Sequence, residues 1–196
     1  MQLPPSVAAA AAAGDKTALA SPWCVYFVKR SSGARTQESY ERNIKRVCQF
    51  GTVEDFWLFY NHLTRPNDLP NGSDYNLFRA GIKPMWEDAA NKHGGKFMVR
   101  MRKGLASRYW EDLVLALLGE QFDVGDEVCG ACISVRYNED LLSLWHRTAA
   151  DTEAKRRIYD TLAKVISLNN HTSVDYRAHS TAPKAGGGVY RPPAAK

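Results

Sequence analysis

The sequence has no apolar run approaching the ~20 residues that a membrane helix needs. Its start, Met1-Gln2-Leu3-Pro4-Pro5-Ser6, sets no basic segment before an apolar stretch and does not read as a secretory signal. It lacks a Gly-rich phosphate loop, an HExxH helix and a GxSxG turn, so the common frames for phosphoryl transfer, zinc hydrolysis and acyl transfer are missing. The five histidines, His62, His93, His146, His171 and His179, show no metal-ligand spacing. Cysteine is scarce: Cys24, Cys48, Cys129 and Cys132. Only Cys129-Gly130-Ala131-Cys132 is clustered, and no second pair completes a zinc site. Its surroundings read as a strand, which turns the two thiols to opposite faces. The cysteines are therefore expected to be reduced and structural, in a cytosolic or nuclear protein. The acid pairs Glu54-Asp55, Glu87-Asp88, Glu111-Asp112 and Glu139-Asp140 sit at helix starts or turns, and no serine has a motif around it. No catalytic residue, metal or cofactor is expected, which favours a binding protein.

Acid is also missing from the C-terminal stretch. Ser180 to Lys196 holds Lys184, Arg191 and Lys196 with no Asp or Glu, and without those three cations the net charge of +5 falls to +2. A nearly balanced folded part does not argue for a general nucleic-acid-coating surface. The chain is long enough, at 196 residues, for one domain with a real core. Residues 1–20 are Ala-rich without a periodic apolar face and read as a disordered arm. Residues 180–196 read as a flexible basic tail, leaving 21–179 as the folded unit.

Within that unit, Trp23 to Val28 is an aromatic and β-branched run, hence a strand. Ser39-Tyr40-Glu41 lies in a polar, turn-like passage, and Ile44 to Phe50 suits a second strand. Thr52 can cap a helix whose Val53, Phe56, Trp57 and Tyr60 follow helical spacing. Residues 65–95 are rich in turn formers and read as a loop region. Lys96 to Arg102 alternates, with Phe97, Val99 and Met101 inward and a basic outer side. Ser107 can cap a second helix, Arg108 to about Phe122, with Trp110, Leu113, Val114 and Leu117 as its core stripe. Leu115 and Leu118 form a second stripe, to be covered by a loop or tail or to dock a partner. Val128 to Asn138 alternates again, with Cys129, Ala131, Ile133, Val135 and Tyr137 on one side; after a turn, Leu141 to Arg147 returns as a hairpin. Asp151 can cap a third helix, and Val174 to Ala178 suits a last strand. Alternating strands and one-sided helices predict an α+β domain, an antiparallel sheet backed by helices with its other face polar and open.

Chemistry is concentrated in Gly81-Ile82-Lys83-Pro84-Met85-Trp86-Glu87-Asp88. A loop tryptophan with a carboxylate beside it suits a planar base, though it could equally anchor the loop in the core with Glu87 solvated. Lys96, Arg100 and Arg136 on the polar sheet face could hold phosphates or simply be solvated.

That segment, with Val53-Glu54-Asp55-Phe56-Trp57, Asn91-Lys92-His93-Gly94-Gly95-Lys96, Leu118-Gly119-Glu120-Gln121-Phe122 and Val128-Cys129-Gly130-Ala131-Cys132-Ile133-Ser134-Val135-Arg136, resembles the messenger-RNA cap-binding family, eukaryotic translation initiation factor 4E. Arg102 to Arg108 and Ser39-Tyr40-Glu41 are similar to its divergent class, the 4E homologous or novel cap-binding proteins. The resemblance implies a curved antiparallel sheet with three long helices on its convex face and a cap site on the concave side. It implies 7-methylguanosine between the rings of Tyr40 and Trp86, Glu87 on the guanine edge, Arg136 on the triphosphate with Lys96 and Arg100 as helpers, and Trp145 near the N7 methyl. It implies docking of scaffold or repressor proteins bearing a Tyr-x-x-x-x-Leu-apolar motif on Val53 and Trp57, with Leu115 and Leu118 on the same surface. Regulation of translation, as activator or repressor, is then the expected function, in the cytoplasm with the nucleus as a second compartment and no membrane partner. An interaction module with lost cap binding and a nucleotide-processing enzyme are the competing readings. Tyr40 in place of the main class's tryptophan, and Leu141 in place of its lysine, imply weaker cap binding. Phe97 replaces a usual tryptophan, and Thr17-Ala18-Leu19 a usual His-Pro-Leu run.

Overall fold

The structure, a computed structural model, describes residues 16–30, 37–168, 173–181 and 188–190. Their strands are β1 (Ala18–Lys29), β2 (Ile44–Thr52), β3 (Ser73–Arg79), β4 (Gly95–Met101), β5 (Val128–Val135), β6 (Asp140–His146), β7 (Val174–Ala178) and the two-residue β8 (Gly188–Val189). The helices are α1 (Gln37–Asn43), α2 (Val53–Tyr60), α3 (Ala106–Leu118) and α4 (Thr152–Val165). All eight strands join one antiparallel sheet in the order β2-β1-β3-β5-β6-β4-β7-β8. It is the curved α+β architecture the sequence predicts.

Register sorts the residues onto two faces. Val25, Leu77, Ala131, Leu144, Phe97 and Tyr176 are cross-strand neighbours on the core face. Phe56 and Tyr60 of α2, Trp110, Leu113 and Leu117 of α3, and Ile158 and Leu162 of α4 complete that core. The other face carries Tyr26, Asn76, Cys132, Ser143, Met98 and Asp175 in one row, and Cys24, Phe78, Gly130, Trp145, Lys96 and Arg177 in the next. It has no helix layer of its own from α2, α3 or α4, and the site is built there.

Several expectations are corrected. β1 begins at Ala18, inside the supposed arm, because the chain before it is anchored on the start of α2: Lys16 pairs with Asp55 at 2.7 Å, and the Thr17 N–H donates to Glu54 at 2.9 Å. The rest of the arm, residues 1–15, lies outside the described residues. Ser39-Tyr40-Glu41 belongs to a helix, α1, not a turn. The supposed loop 65–95 contains β3, a central strand with buried polar residues Ser73, Asp74 and Asn76. Thr52 and Asp151 cap α2 and α4 as expected. Ser107 caps nothing: its hydroxyl accepts from the Asn67 N–H at 3.0 Å, and Leu105 stands at the N-cap of α3. The helices α2, α3 and α4 that back the sheet have 8, 13 and 14 residues. Near the end of the chain, β8 pairs with β7 and Tyr190 packs edge-on against Phe97 at 5.0 Å, within the span expected to be a free tail.

The Cys129 thiol is also misplaced by simple alternation. A register irregularity between Val128 and Gly130 puts Val128 in the main core and Cys129 in a second cluster with Phe78, Ile82 and Trp145. Cys132 is in register with Asn76 and Ser143, so both thiols of the CxxC lie on the open side. All four cysteines are free, and burial pushes the Cys129 and Cys132 thiols up to about 11. Tyr137 is at the hairpin tip and 84% exposed, outside the core row.

Candidate functional site

The segment between β3 and β4 is held by its own backbone geometry. Gly81 has a φ of +89°, which favours glycine. Asn91, fully buried, donates from its amide to the Lys83 carbonyl at 2.9 Å and to the Met85 carbonyl at 2.7 Å. Asp88 accepts from the N–H groups of Lys83 at 3.0 Å and Ala90 at 2.9 Å. Ile82 and Met85 are the buried anchors. Trp86 between them and Glu87 is 42% exposed, its indole N–H donating to the Glu87 carboxylate. Trp86 is therefore a presented ring, not the loop's anchor. Gly94 and Gly95 close the segment where a Cβ would meet the His146 carbonyl at 1.9 Å and the Tyr176 hydroxyl at 2.3 Å, so no side chain fits.

α1 lies against this loop. The Tyr40 hydroxyl donates to the Pro84 carbonyl at 3.3 Å, and Lys83 pairs with Glu41 at 2.8 Å. Burial raises the Tyr40 phenol above its ordinary value, with Cys132 and Asp74 adding to the effect. Tyr40 is thereby brought next to both the Trp86 loop and the polar sheet floor.

The floor is organised around an acid that sequence reasoning missed. Asp74, 1% exposed, accepts from Arg30 Nε at 3.1 Å and from Arg136 Nη2 at 2.5 Å. The Arg136 guanidinium also donates to the Val135 carbonyl at 2.9 Å. Its backbone is fixed by Asp140, 1% exposed, which accepts from the Arg136 N–H at 3.2 Å and pairs with Lys103 at 2.7 Å. Arg136 is thus fixed in place, half-buried and partly neutralised. The signal for Asp74 was its place in Asp74-Tyr75-Asn76-Leu77-Phe78, where polar and apolar residues alternate.

Lys96 is half-buried, with its ammonium 5.0 Å from the Trp145 ring centroid, and burial holds it below the usual lysine value. Arg100 shares the open face but is exposed, pairing with Glu139 and, at 3.6 Å, with Asp175. Hydrogen bonding to Glu139 raises its value further. Trp145 is 9% exposed, packed edge-on against Phe78 at 5.5 Å and beside His179 at 4.5 Å. It forms part of the floor. Leu141 also sits on this face, in register with Arg100.

On the helix side, Trp57 and Leu115 are each 38% exposed and Val53 is half-buried. Leu118 is 8% exposed and packs in the core cluster with Leu117, so of the second stripe Leu115 is the more open residue. Among the described residues, no group of three or more His, Cys, Asp or Glu could hold a metal ion, and no helix is long and apolar enough to cross a membrane.

An open sheet face with a rigid tryptophan-bearing loop above a cationic floor, backed by helices, defines an α+β ligand-binding class. The family model for Eukaryotic initiation factor 4E matches residues 18–189. Eukaryotic translation initiation factor NCBP of Oryza sativa subsp. japonica is 46% identical over 158 residues, covering 81% of this chain and 69% of that protein. Eukaryotic translation initiation factor 4E-4 of Caenorhabditis elegans is 44% identical, covering 79% and 72%. Among solved structures, Ascaris suum eIF4E-3 in complex with an m2,2,7G cap superposes with a TM-score of 0.81 at 35% identity, covering 89% of this chain and 97% of that one. C. elegans eIF4E-3 in complex with the 4E-binding protein Mextli and a cap analog superposes at 0.79 with 38% identity, covering 87% and 98%. The chain belongs to the eukaryotic initiation factor 4E family.

Proposed function

We infer that the protein binds the 7-methylguanosine cap of messenger RNA on its open face and regulates translation through proteins docked on its helix side. The observation that carries this is the exposed Trp86 ring, held by a loop whose other large apolar residues, Ile82 and Met85, are buried, with Glu87 beside it and cations on the sheet below. In this reading the methylated base stacks between Trp86 and Tyr40. Methylation at N7 gives the base a positive charge, which adds a cation–π attraction of ~0.5–2 kcal/mol. Glu87 accepts hydrogen bonds from the guanine N–H edge, exchanging its bond to the Trp86 indole for the ligand. Arg136, held by Asp74, and the half-buried Lys96 take the triphosphate, and Arg100 assists at the rim. Trp145 forms the apolar floor near the methyl group.

Solved structures of relatives in complex with cap ligands and with the 4E-binding protein Mextli support both halves of the reading. Leu141 supplies no charge beside Arg136, and Tyr40 is a smaller ring than tryptophan. Both favour a cap affinity below that of a site with a tryptophan and a lysine at these positions. The docking surface comprises Val53, Trp57 and Leu115, and the partner carries a Tyr-x-x-x-x-Leu-apolar motif. The reading places the protein in the cytoplasm with translated messenger RNA. Tryptophan fluorescence quenching by 7-methyl-GTP against GTP tests it: preference for the methylated nucleotide is expected, and equal quenching by both would reject it.

A further inference from the structure

Two cations on the open face stand directly opposite one another. Lys96 on β4 and Arg177 on β7 are cross-strand partners in the antiparallel ladder. Like charges in that relation are destabilising. The acid nearest in sequence on the same face of β7, Asp175, lies 3.6 Å from Arg100 and is engaged there. Among the described residues neither Lys96 nor Arg177 has a recorded carboxylate partner; Lys96 meets the Trp145 ring instead. The Nε atom of Arg177 is buried with no hydrogen-bond partner, an orphaned donor at the floor of an open face.

We propose that Arg177, with Lys96 at its side, is a landing site for an internucleotide phosphate of the RNA body that follows the cap. The proposal rests on the cap reading and extends it outward. β5, which leads into Arg136, and β7, which carries Arg177, are three strand spacings apart in the sheet, about 14 Å at the backbone. Arg136 also lies beyond the Met101 end of β4 whereas Arg177 stands opposite Lys96, an offset of ~17 Å or more along the strands, so a triphosphate centred on Arg136 is too short to engage both arginines. A chain continuing past Lys96 carries phosphodiester anions to the β7 edge. Contacts of this kind position a nucleic acid without reading its sequence. They let the protein distinguish a capped RNA from a free cap nucleotide.

The test uses the full chain with three ligands: 7-methyl-GTP, a short capped RNA, and the same RNA without its cap. Wild type, Arg177→Gln and Arg177→Lys are titrated across a salt series, with melting temperatures to establish that each variant is folded. For Arg177→Gln, capped-RNA affinity is expected to fall about three- to tenfold and the slope of log K against log salt to become shallower by about 0.7, with 7-methyl-GTP affinity held within about twofold. Arg177→Lys, which keeps the charge, should recover most of the loss. Capped-RNA affinity and slope unchanged in Arg177→Gln would overturn the proposal. So would an equal loss on 7-methyl-GTP, which would place Arg177 on the cap nucleotide itself. A wild type that prefers 7-methyl-GTP over GTP yet gains nothing from the RNA body overturns this inference and leaves cap recognition standing. A wild type indifferent to methylation overturns cap recognition instead; the uncapped RNA then carries the test, with the same slope change required for Arg177→Gln.

Discussion

Trp86 stays exposed because Ile82, Met85 and Asn91 do the packing that a loop tryptophan would otherwise do. Removing its ring should leave the fold intact and remove one stacking surface, worth about 1–3 kcal/mol for a base. Trp86→Ala is therefore expected to weaken 7-methyl-GTP by about five- to 150-fold, with an unchanged melting temperature. Asp74 behaves oppositely. It is buried between two arginines, of which Arg30 is 46% and Arg136 21% exposed, so solvent screens part of the interaction. Asp74→Asn should cost about 1–3 kcal/mol in urea denaturation and loosen Arg136, weakening 7-methyl-GTP as well. Trp86 and Glu87 were legible because a loop tryptophan beside an acid is unusual in itself. Asp74 was not, since a buried acid in a strand is recognisable only once its two cationic partners, distant in sequence, are known.

At the scale of elements, α3 separates two leucines that a helical wheel groups together. Leu118 points into the core, and Leu118→Ala should lower stability by about 2–4 kcal/mol. Leu115→Ala should leave stability nearly unchanged and Trp57→Ala should cost some stability through the ring's packing on Phe56 and Tyr60, while each weakens a Tyr-x-x-x-x-Leu-apolar peptide in calorimetry and spares the cap nucleotide. The end of β6 carries a pH dependence. Burial lowers His146 from 6.5 to about 4, so the unfolded chain takes up its proton first as pH falls. Its contribution is fully present above pH 6.5 and declines by about 1.4 kcal/mol per pH unit until about pH 4. His146→Gln, which can keep a bond to the Tyr176 hydroxyl, should flatten the urea-stability profile across that window. The strands and helices with clean periodicity, β4 and α4, could be read from sequence. β3 was obscured although its residues alternate, because Pro66, Asn67, Pro70, Asn71 and Gly72 just before it give the region the composition of a loop. The Cys129 bulge could not either, because it breaks the period of two on which strand reading depends.

Across the whole molecule, the sheet separates two surfaces: a polar face carrying Trp86, Arg136 and Lys96, and a helix-covered face presenting Trp57 and Leu115. The architecture was legible because alternation in the strands and one-sided stripes in the helices together require a sheet covered on one side. The neighbourhood of Tyr40 was not, since α1 joins the site through the Pro84 carbonyl and the Lys83–Glu41 pair, contacts that local spacing cannot reveal. Separation of the two faces predicts that losses on one spare the other, and it makes the nucleotide titration the most direct measurement. Wild-type protein titrated with 7-methyl-GTP and with GTP, followed by tryptophan fluorescence, should bind the methylated form more tightly by about 0.5–2 kcal/mol from the cation–π attraction alone, roughly two- to thirtyfold. Equal affinity for the two nucleotides would contradict the account.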